Sequence, residues 1–229
     1  TQLAMFHTFF NVITVICILP LTELLVKTVV KIIPDSVTTA NPDEPRLHFV
    51  DENMLKTPPV AVQQTKQEII RMSTLAMENF NRALHMVSTL TFTEKEKFEK
   101  TEDEINFINR ALVDFVVKLS EYKGISERDH VYLATTYRTV RDLERIGDYA
   151  ENILEYSEAM ENVGKGFSSD ALGEITALKV MITDLYTFAM KAYVDEDFNA
   201  LDQANDVEEK IDDFTKMMED NHIKRLSEG

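Results

Sequence analysis

The chain is poor in the residues that mark several common protein classes. Its 229 residues include one cysteine, six glycines, six prolines and no tryptophan. The single cysteine, Cys17, excludes a disulfide framework and allows a reducing compartment. The scarcity of glycine and proline, without strongly alternating segments, predicts an almost entirely helical fold. Rossmann, P-loop and Cys-x-x-Cys signatures are also absent from the sequence.

Basic residues are scarce beside acidic ones. Lysine and arginine number 24 against 40 aspartates and glutamates, which gives a net charge of −16 and an isoelectric point near 4.7. This excess argues against nucleic acid as a partner and favours cations, basic partners or simple solubility. Apolar residues make up 44% of the chain, which is enough for a substantial core.

The start of the chain predicts a membrane segment. No charged residue precedes Glu23, and the uncharged stretch 3–21 is long enough to cross about 30 Å of hydrocarbon. Lys27 and Lys31 follow it, which by the positive-inside rule places residues 34–229 in the cytoplasm. The alternatives are a signal peptide or buried core helix, and lysines that simply end a solvated helix.

Turn formers and helix caps divide the remainder. The segment 34–57 is dense in proline and predicts a linker, after which Thr57 and two prolines open a helical domain over 58–229. Thr93 with Glu96 predicts a capping box for a second helix, and Ser126 predicts the cap of a third. The expected organisation is therefore a membrane segment over 1–33, a linker and a helical domain.

An internal repeat follows the third helix. A shift of 106 residues aligns Glu68 with Glu174 and Ile105 with Ile211, and the register holds across two helices and their loop. The counterpart of the third helix would lie beyond Gly229. The repeat thus predicts two three-helix units in an antiparallel all-α bundle, the second of them incomplete.

Carboxylates concentrate on one arc of the third helix. At about 100° per residue, four acids flank its apolar stripe, and two acids four residues apart recur on the fifth helix. Carboxylates without thiols or imidazoles suit hard cations. These acids are Glu144, Asp148, Glu151 and Glu155, and then Glu208 and Asp212.

Two other interpretations of the polar residues stay open. The acids could form a solvated face in which Arg141 and Arg145 neutralise them as intrahelical ion pairs. Two Glu-x-x-His pairs have the spacing of four-helix di-iron sites. They lie near helix ends and the repeat does not relate them, which argues against an oxidase. These pairs are Glu127 with His130 and Glu219 with His222.

Two stretches carry a family resemblance. "LERIGDYAENI" (143–153) and "TPPVAVQQTKQEIIRM" (57–72), with the two repeats, resemble the PhoU family. The opening "AMFHTFFNVI", followed by a proline, is similar to the last membrane segment of bacterial sodium/phosphate cotransporters that carry a PhoU-like cytoplasmic tail. The two resemblances together cover almost the whole chain.

The resemblance to PhoU proteins implies a metal site. In that family, paired acidic motifs on neighbouring helices bind clusters of hard metals, often iron, and the motif maps here onto Glu144 with Asp148 and onto Glu208 with Asp212. Iron, manganese or magnesium is the expected ion. Asn106 stands where the second helix would carry an acid, so a second set of candidates is less complete. That set is Glu102, Asp103 and Glu151.

The resemblance also implies a function without catalysis. It identifies the chain as the C-terminal region of a sodium-dependent inorganic phosphate transporter in the cell membrane, with a cytoplasmic regulatory domain. The expected partners are the rest of the transporter's membrane domain and the membrane itself, and a homo-oligomer is allowed. The alternative is a stand-alone PhoU-type regulator of phosphate uptake or signalling.

Overall fold

The computed structural model describes residues 2–18 and 44–228, and every regular element in them is helical. This confirms the all-helical prediction. A short 3₁₀-helix, Glu52–Lys56, precedes the main domain. The six α-helices are α1 (Gln2–Ile18), α2 (Pro58–Thr89), α3 (Lys95–Ser120), α4 (Glu127–Asn162), α5 (Ser169–Asp195) and α6 (Phe198–Glu228).

The first helix belongs to a separate compact unit. The chain divides into residues 1–44 and residues 45–229. α1 has 17 residues, and no helix among the described residues is long and apolar enough to cross a membrane. The structure therefore does not support the predicted membrane helix over 3–21, and the remainder of the predicted segment, 19–33, lies outside the described residues. The first part of the predicted linker, 34–43, lies outside them too.

Helices α2, α3 and α4 form a three-helix bundle. α2 packs against both α3 and α4, and these two also pack against each other. One cluster of buried side chains includes Ile69, Ile108 and Leu133, and a second joins Met86, Phe98 and Leu154 at the other end. The apolar residues recur at helical spacing on each element, so one stripe per helix is buried and the rest is exposed.

The helix ends follow the expected caps only in part. Ser126 accepts the backbone N–H of Asp129 and caps α4 as predicted. Thr57 precedes α2 but makes no capping bond, because its hydroxyl donates to Met54 O instead. The capping box at Thr93 does not form, since α3 begins at Lys95 after an uncapped Glu94.

Two left-handed residues mark equivalent points of the repeat. Leu90 (φ 51°) ends α2, and Glu196 (φ 55°) ends α5. They lie 106 positions apart, which is the shift that aligns the two repeats in the sequence. A left-handed conformation is uncommon for a residue other than glycine, so its recurrence at this register supports a shared ancestry of α2–α3 and α5–α6.

The pair α5–α6 packs as a hairpin and touches the bundle chiefly through α5. Near the end of α5, the hydroxyls of Tyr193 and Tyr132 lie 2.8 Å apart, and Lys66 Nζ donates to Val194 O at 3.0 Å. No residue of α5 is fully buried. Its apolar side chains therefore line an open groove instead of closing a second core.

Residues 45–56, which we name the strap, pack onto the bundle. Val50 and Leu55 are buried in its core, although the sequence assigned them to the linker. Glu68, fully buried on α2, accepts the backbone N–H groups of His48 and Phe49, each at 2.8 Å. One carboxylate thus satisfies two backbone donors that no helix or strand could serve.

Arg71 completes this attachment of the strap. Its Nε donates to Glu68 at 2.7 Å and its Nη2 to Arg46 O at 3.0 Å, while Nη1 pairs with Glu104 of α3. The buried carboxylate is therefore both paired and hydrogen-bonded, as its burial requires. Because these contacts depend on tertiary structure, the linker composition alone could not reveal them.

We expect Glu68→Gln to release the strap. The amide keeps one acceptor but loses the charge, and charge-assisted bonds of this kind contribute about 2 kcal/mol to stability. Denaturant unfolding should show a loss of that order, and amide exchange at His48 and Phe49 should accelerate. Glu96→Gln is the control, because Glu96 pairs with Lys100 and both side chains are exposed, so that its loss should cost under about 0.5 kcal/mol. Equal losses in the two variants would contradict the assignment.

Candidate functional site

The candidate site centres on Glu102, a glutamate of α3 that is only 6% exposed. Its carboxylate is served by two amides: Asn79 Nδ2 of α2 lies 3.4 Å from Oε2, and Asn106 Nδ2 lies 3.3 Å from Oε1. Both distances are at the long limit of hydrogen bonding. Within residues 44–228, no lysine, arginine or histidine forms an ion pair with Glu102, so this buried acid has no countercharge there.

A glycine on α4 makes room for that carboxylate. A Cβ at Gly147 would lie 2.8 Å from Glu102 Oε2 and 2.9 Å from Oε1, closer than carbon and oxygen can approach. Any side chain at this position would therefore push the carboxylate away. The glycine in "ERIGD" serves close packing of α3 against α4 at the acidic face, not a turn.

Burial and neighbouring acids together change the titration of Glu102. Removal of the carboxylate from water is the largest cause that raises its pKa, and the amide of Asn79 opposes that shift. The charges of Glu151, Asp148 and Glu144 on α4 also raise the pKa, which is about 7 under all these influences together. Near neutral pH the carboxyl is thus poised between its two protonation states.

The structure groups the predicted site residues differently from the expectation. Glu144 is half-buried, whereas Asp148 and Glu151 are exposed. The negative charges of all three raise the pKa of Glu102. Asp103, which follows Glu102, is exposed. The acidic face of α4 therefore packs against α3 and not against α6, the helix that carries Glu208 and Asp212.

The second acidic pair lies elsewhere. Glu208 and Asp212 are exposed on α6, and α4 and α6 do not form one of the extensively packed helix pairs. The predicted convergence of these residues with Glu144 and Asp148 is not observed, because α4 packs into the first bundle and α6 packs against α5. In the repeat, Glu208 is the counterpart of Glu102.

Metal-ligand geometry is not preformed in the described part of the chain. No group of three or more His, Cys, Asp or Glu side chains there is arranged to hold a metal ion. The all-oxygen donor set around Glu102 suits a hard cation in kind. The residues fit such an ion in type and charge, although the exposed acids would have to turn towards Glu102. The Glu-x-x-His pairs lie at the start of α4 and near the end of α6, with His130 and His222 exposed.

The arginines of the acidic helix do not neutralise it. Arg141 lies over the ring of Tyr137, with 5.9 Å to the ring centroid, and Arg145 lies over Tyr149 at the same distance and donates to its hydroxyl at 3.1 Å. Neither arginine is within ion-pair distance of a carboxylate among residues 44–228. The intrahelical ion pairs considered from the sequence are thus absent among these residues.

An apolar groove with a volume of about 700 Å³ lies between α2, α4 and α5. Ile175, Leu178 and Ile182 line its α5 side, and the repeat relates them to core positions of α2 that are buried in the first bundle, such as Ile69 and Met72. Lys179 alone among the lining residues is charged, so the groove lacks converging polar groups for a specific polar ligand.

We expect the stability of the protein to fall as pH rises towards 7, through Glu102. Its pKa is about 7 in the folded state and near 4.5 when unfolded, so folding favours the protonated acid. That preference is fully present below pH 4.5 and is lost as the pH rises through 7. Glu102→Gln should remove this loss and exceed the wild type by about 2 kcal/mol above pH 7 in chelator-treated protein.

Urea unfolding between pH 4 and 8 measures the effect. Asp103→Asn provides the matched control, because Asp103 is adjacent in sequence but exposed. The free energy of unfolding of Glu102→Gln, plotted against pH, could instead run parallel to the curves of the wild type and the control. That result would show that Glu102 titrates normally.

Known proteins are similar to the part of the chain that contains this site. Residues 69–157, which contain Asn79, Glu102, Gly147 and the acids of α4, match a family model described as PhoU domain. The chain is 26% identical over 165 residues to a phosphate-specific transport system accessory protein PhoU homolog of Thermotoga maritima, a match that covers 72% of this chain and 70% of the relative. No solved structure matches.

A second group of relatives is longer than this chain. The chain is 21% identical over 222 residues to a protein of Salmonella typhimurium named "Putative inorganic phosphate export protein YjbB". That match covers 96% of this chain but only 40% of YjbB, so the chain spans less than half the length of these relatives. The chain is thus similar over residues 69–157 to the PhoU domain, and over most of its length to proteins whose names refer to phosphate export or phosphate-specific transport.

Proposed function

We propose that this chain is the regulatory part of a phosphate-transporting protein, with the acidic face around Glu102 as its regulatory site. The observation that carries the proposal is a buried carboxyl without a countercharge, surrounded by three further acids. A buried charge of this kind is costly unless something offsets it. No catalytic role is assigned to any residue.

A more specific proposal concerns the whole protein of which this chain would be a part. We propose a sodium-dependent inorganic phosphate transporter of the cell membrane, of which residues 1–33 are the last membrane segment and residues 34–229 are cytoplasmic. The uncharged stretch 3–21 supports this proposal, and so does the similarity of almost the whole chain to a phosphate export protein. The rest of the membrane domain would then be the partner of the regulatory domain.

A stand-alone PhoU-type regulator is the second candidate. The Thermotoga maritima homolog, which matches over 70% of its own length, favours it, as does the lack of a membrane-spanning helix among the described residues. Partitioning of the intact chain distinguishes the two candidates. Extraction from membranes only by detergent supports the transporter, whereas release into plain buffer supports the regulator.

We further propose that a hard metal ion, iron, manganese or magnesium, binds at the acidic face. Glu102, Glu144, Asp148 and Glu151 would hold it, since carboxylate oxygens are the ligands that such ions prefer. A bound cation would neutralise Glu102 and draw α3 and α4 together. Because a ligand stabilises the conformation that it binds, metal binding would bias the packing of these two helices.

The metal proposal predicts that only one of two matched double variants loses metal binding. Glu144→Gln/Asp148→Asn should lower the metal content of protein purified without chelator and abolish the rise in melting temperature on addition of Mn²⁺. Glu208→Gln/Asp212→Asn removes the same charge from α6 and should leave both measurements near wild type. At a free ion concentration of 100 times the dissociation constant, the expected stabilisation is about 2.7 kcal/mol. An equal response in both variants would overturn the site.

The regulatory proposal predicts that a change at Glu102 alters phosphate flux while the protein still inserts into the membrane. Glu102→Gln in the full-length parent protein should change phosphate flux at low or high phosphate, because it imitates the neutralised state of the site. Asp103→Asn is again the control. The measurements are radiolabelled phosphate flux in cells and the amount of protein in the membrane. Unchanged flux at both phosphate levels, with normal insertion, would remove the regulatory role.

A further inference from the structure

The strap is held to the bundle by few contacts. Of its twelve residues, only Val50 and Leu55 are buried. The backbone N–H groups of His48 and Phe49 both donate to one carboxylate, that of Glu68 on α2. A segment with so little buried apolar area opens locally at a smaller free-energy cost than global unfolding. The strap can therefore detach while the three helices stay folded.

The attachment of the strap involves two helices at once. Arg71 of α2 donates to the carbonyl oxygen of Arg46 in the strap at 3.0 Å. Lys118 of α3 donates to Glu52 of the strap at 2.6 Å. Arg71 also pairs with Glu104 of α3 at 2.5 Å, so it joins the strap, α2 and α3. The strap therefore binds in full only when α2 and α3 keep their present spacing.

Glu102 lies at the same interface between α2 and α3. Asn79 of α2 donates to the backbone carbonyl of Phe98 at 3.1 Å and to the Glu102 carboxylate at 3.4 Å. Arg71 and Asn79 are about 12 Å apart along α2 at 1.5 Å per residue, and Glu102 is separated from Glu104 by one residue of α3. A shift of α3 that changes the contact at Glu102 therefore also changes the pair of Glu104 with Arg71.

The charge of Glu102 favours the contact with α2. A charged acceptor strengthens the hydrogen bond from Asn79, whereas the negative charges on the acidic face of α4 repel the carboxylate. Loss of the charge weakens the bond and removes the repulsion, and both changes move α3 away from α2 and towards α4. The pair of Glu104 with Arg71 then loosens.

We propose that the strap is coupled to the charge of Glu102: loss of that charge releases the strap, and the pair of Arg71 with Glu104 transmits the change. The strap is then an element with two states, attached and released, and the site biases the equilibrium between them. The inference rests on the proposed function, because it names the response that neutralisation of the regulatory site produces.

Release of the strap changes the connection to the preceding part of the chain. An attached strap leaves the bundle at residue 45, whereas a released strap leaves it at Thr57, where α2 begins. The twelve freed residues add a reach of up to about 40 Å. On the proposed function, the site at Glu102 thus sets the length of the tether to the membrane segment.

Hydrogen exchange at the amides of His48 and Phe49 tests the coupling. The full chain is measured in nonionic detergent, which covers the apolar side chains of α1, at pH 8 and after chelator treatment, so that neither titration nor a bound ion contributes. Glu102→Gln should accelerate exchange at both amides about tenfold, because a hydrogen bond to a charged group exceeds a neutral one by about that factor. Glu96→Gln removes the same charge from an exposed position of α3 and should change exchange by less than about twofold.

A double-mutant cycle locates the coupling. Glu104→Gln weakens the pair with Arg71 and should by itself accelerate exchange in the strap. In that background, Glu102→Gln should add less than about a twofold change, since the pair that transmits its effect is already weakened. The amide of Ile69, a residue buried in the core, reports on global unfolding and should not exchange faster in Glu102→Gln.

Three results would overturn the proposal. The first is exchange at His48 and Phe49 that is equal in Glu102→Gln and the wild type. The second is an equal acceleration by Glu102→Gln with and without Glu104→Gln, which would exclude the pair of Glu104 with Arg71 as the link. The third is acceleration at Ile69 by the same factor as in the strap, which would assign the effect to global stability.

The proposed function and the coupling fail separately. Phosphate flux that Glu102→Gln leaves unchanged, together with faster exchange in the strap, would remove the regulatory role and keep the coupling. Altered flux together with unchanged exchange in the strap would overturn the coupling and keep the regulatory role.

Discussion

The close approach of α3 to α4 at Glu102 and Gly147 is the constraint on which the acidic face depends. Gly147 has no Cβ, and this leaves room for the Glu102 carboxylate. A Cβ at this position would lie only 2.8 Å from Glu102 Oε2. That approach buries Glu102 beside the acids of α4 and raises its pKa to about 7. A larger residue at this position would push the Glu102 carboxylate out of this place, and with it the burial and the neighbouring charges that raise its pKa would change.

The arginines of the chain differ in whether they pair with carboxylates. The arginine that supports the fold, Arg71, is bound to Glu68 and Glu104 in the attachment of the strap. The arginines of α4 contact tyrosines and leave the carboxylates uncompensated. The strongly acidic composition therefore does not spread evenly. Negative charge concentrates around Glu102 and along α6.

The two repeats differ in how far their apolar side chains are buried. The first repeat buries its apolar stripes among three helices, whereas α5 and α6 pack only on each other and partly on α2. Positions such as Ile175, which match core residues of the first repeat, therefore line an open groove. The hydrophobic effect stabilises the second repeat less, because less apolar area leaves water per residue. The hairpin depends correspondingly more on polar contacts such as the Tyr132–Tyr193 pair.

The sequence by itself determined the local features of this protein. Helix periodicity, the cap at Ser126, the repeat that relates Leu90 to Glu196 and the acidic arc of α4 all arise within one or two turns or from a constant shift, and they could be predicted. Only the tertiary structure decided which helices meet. It brought Glu102 and not Glu208 to the acidic arc, and it attached the strap to Glu68. The spacing of acids on one helix is set by local geometry, whereas the partner of that helix is chosen by the packing of apolar stripes far apart in the chain.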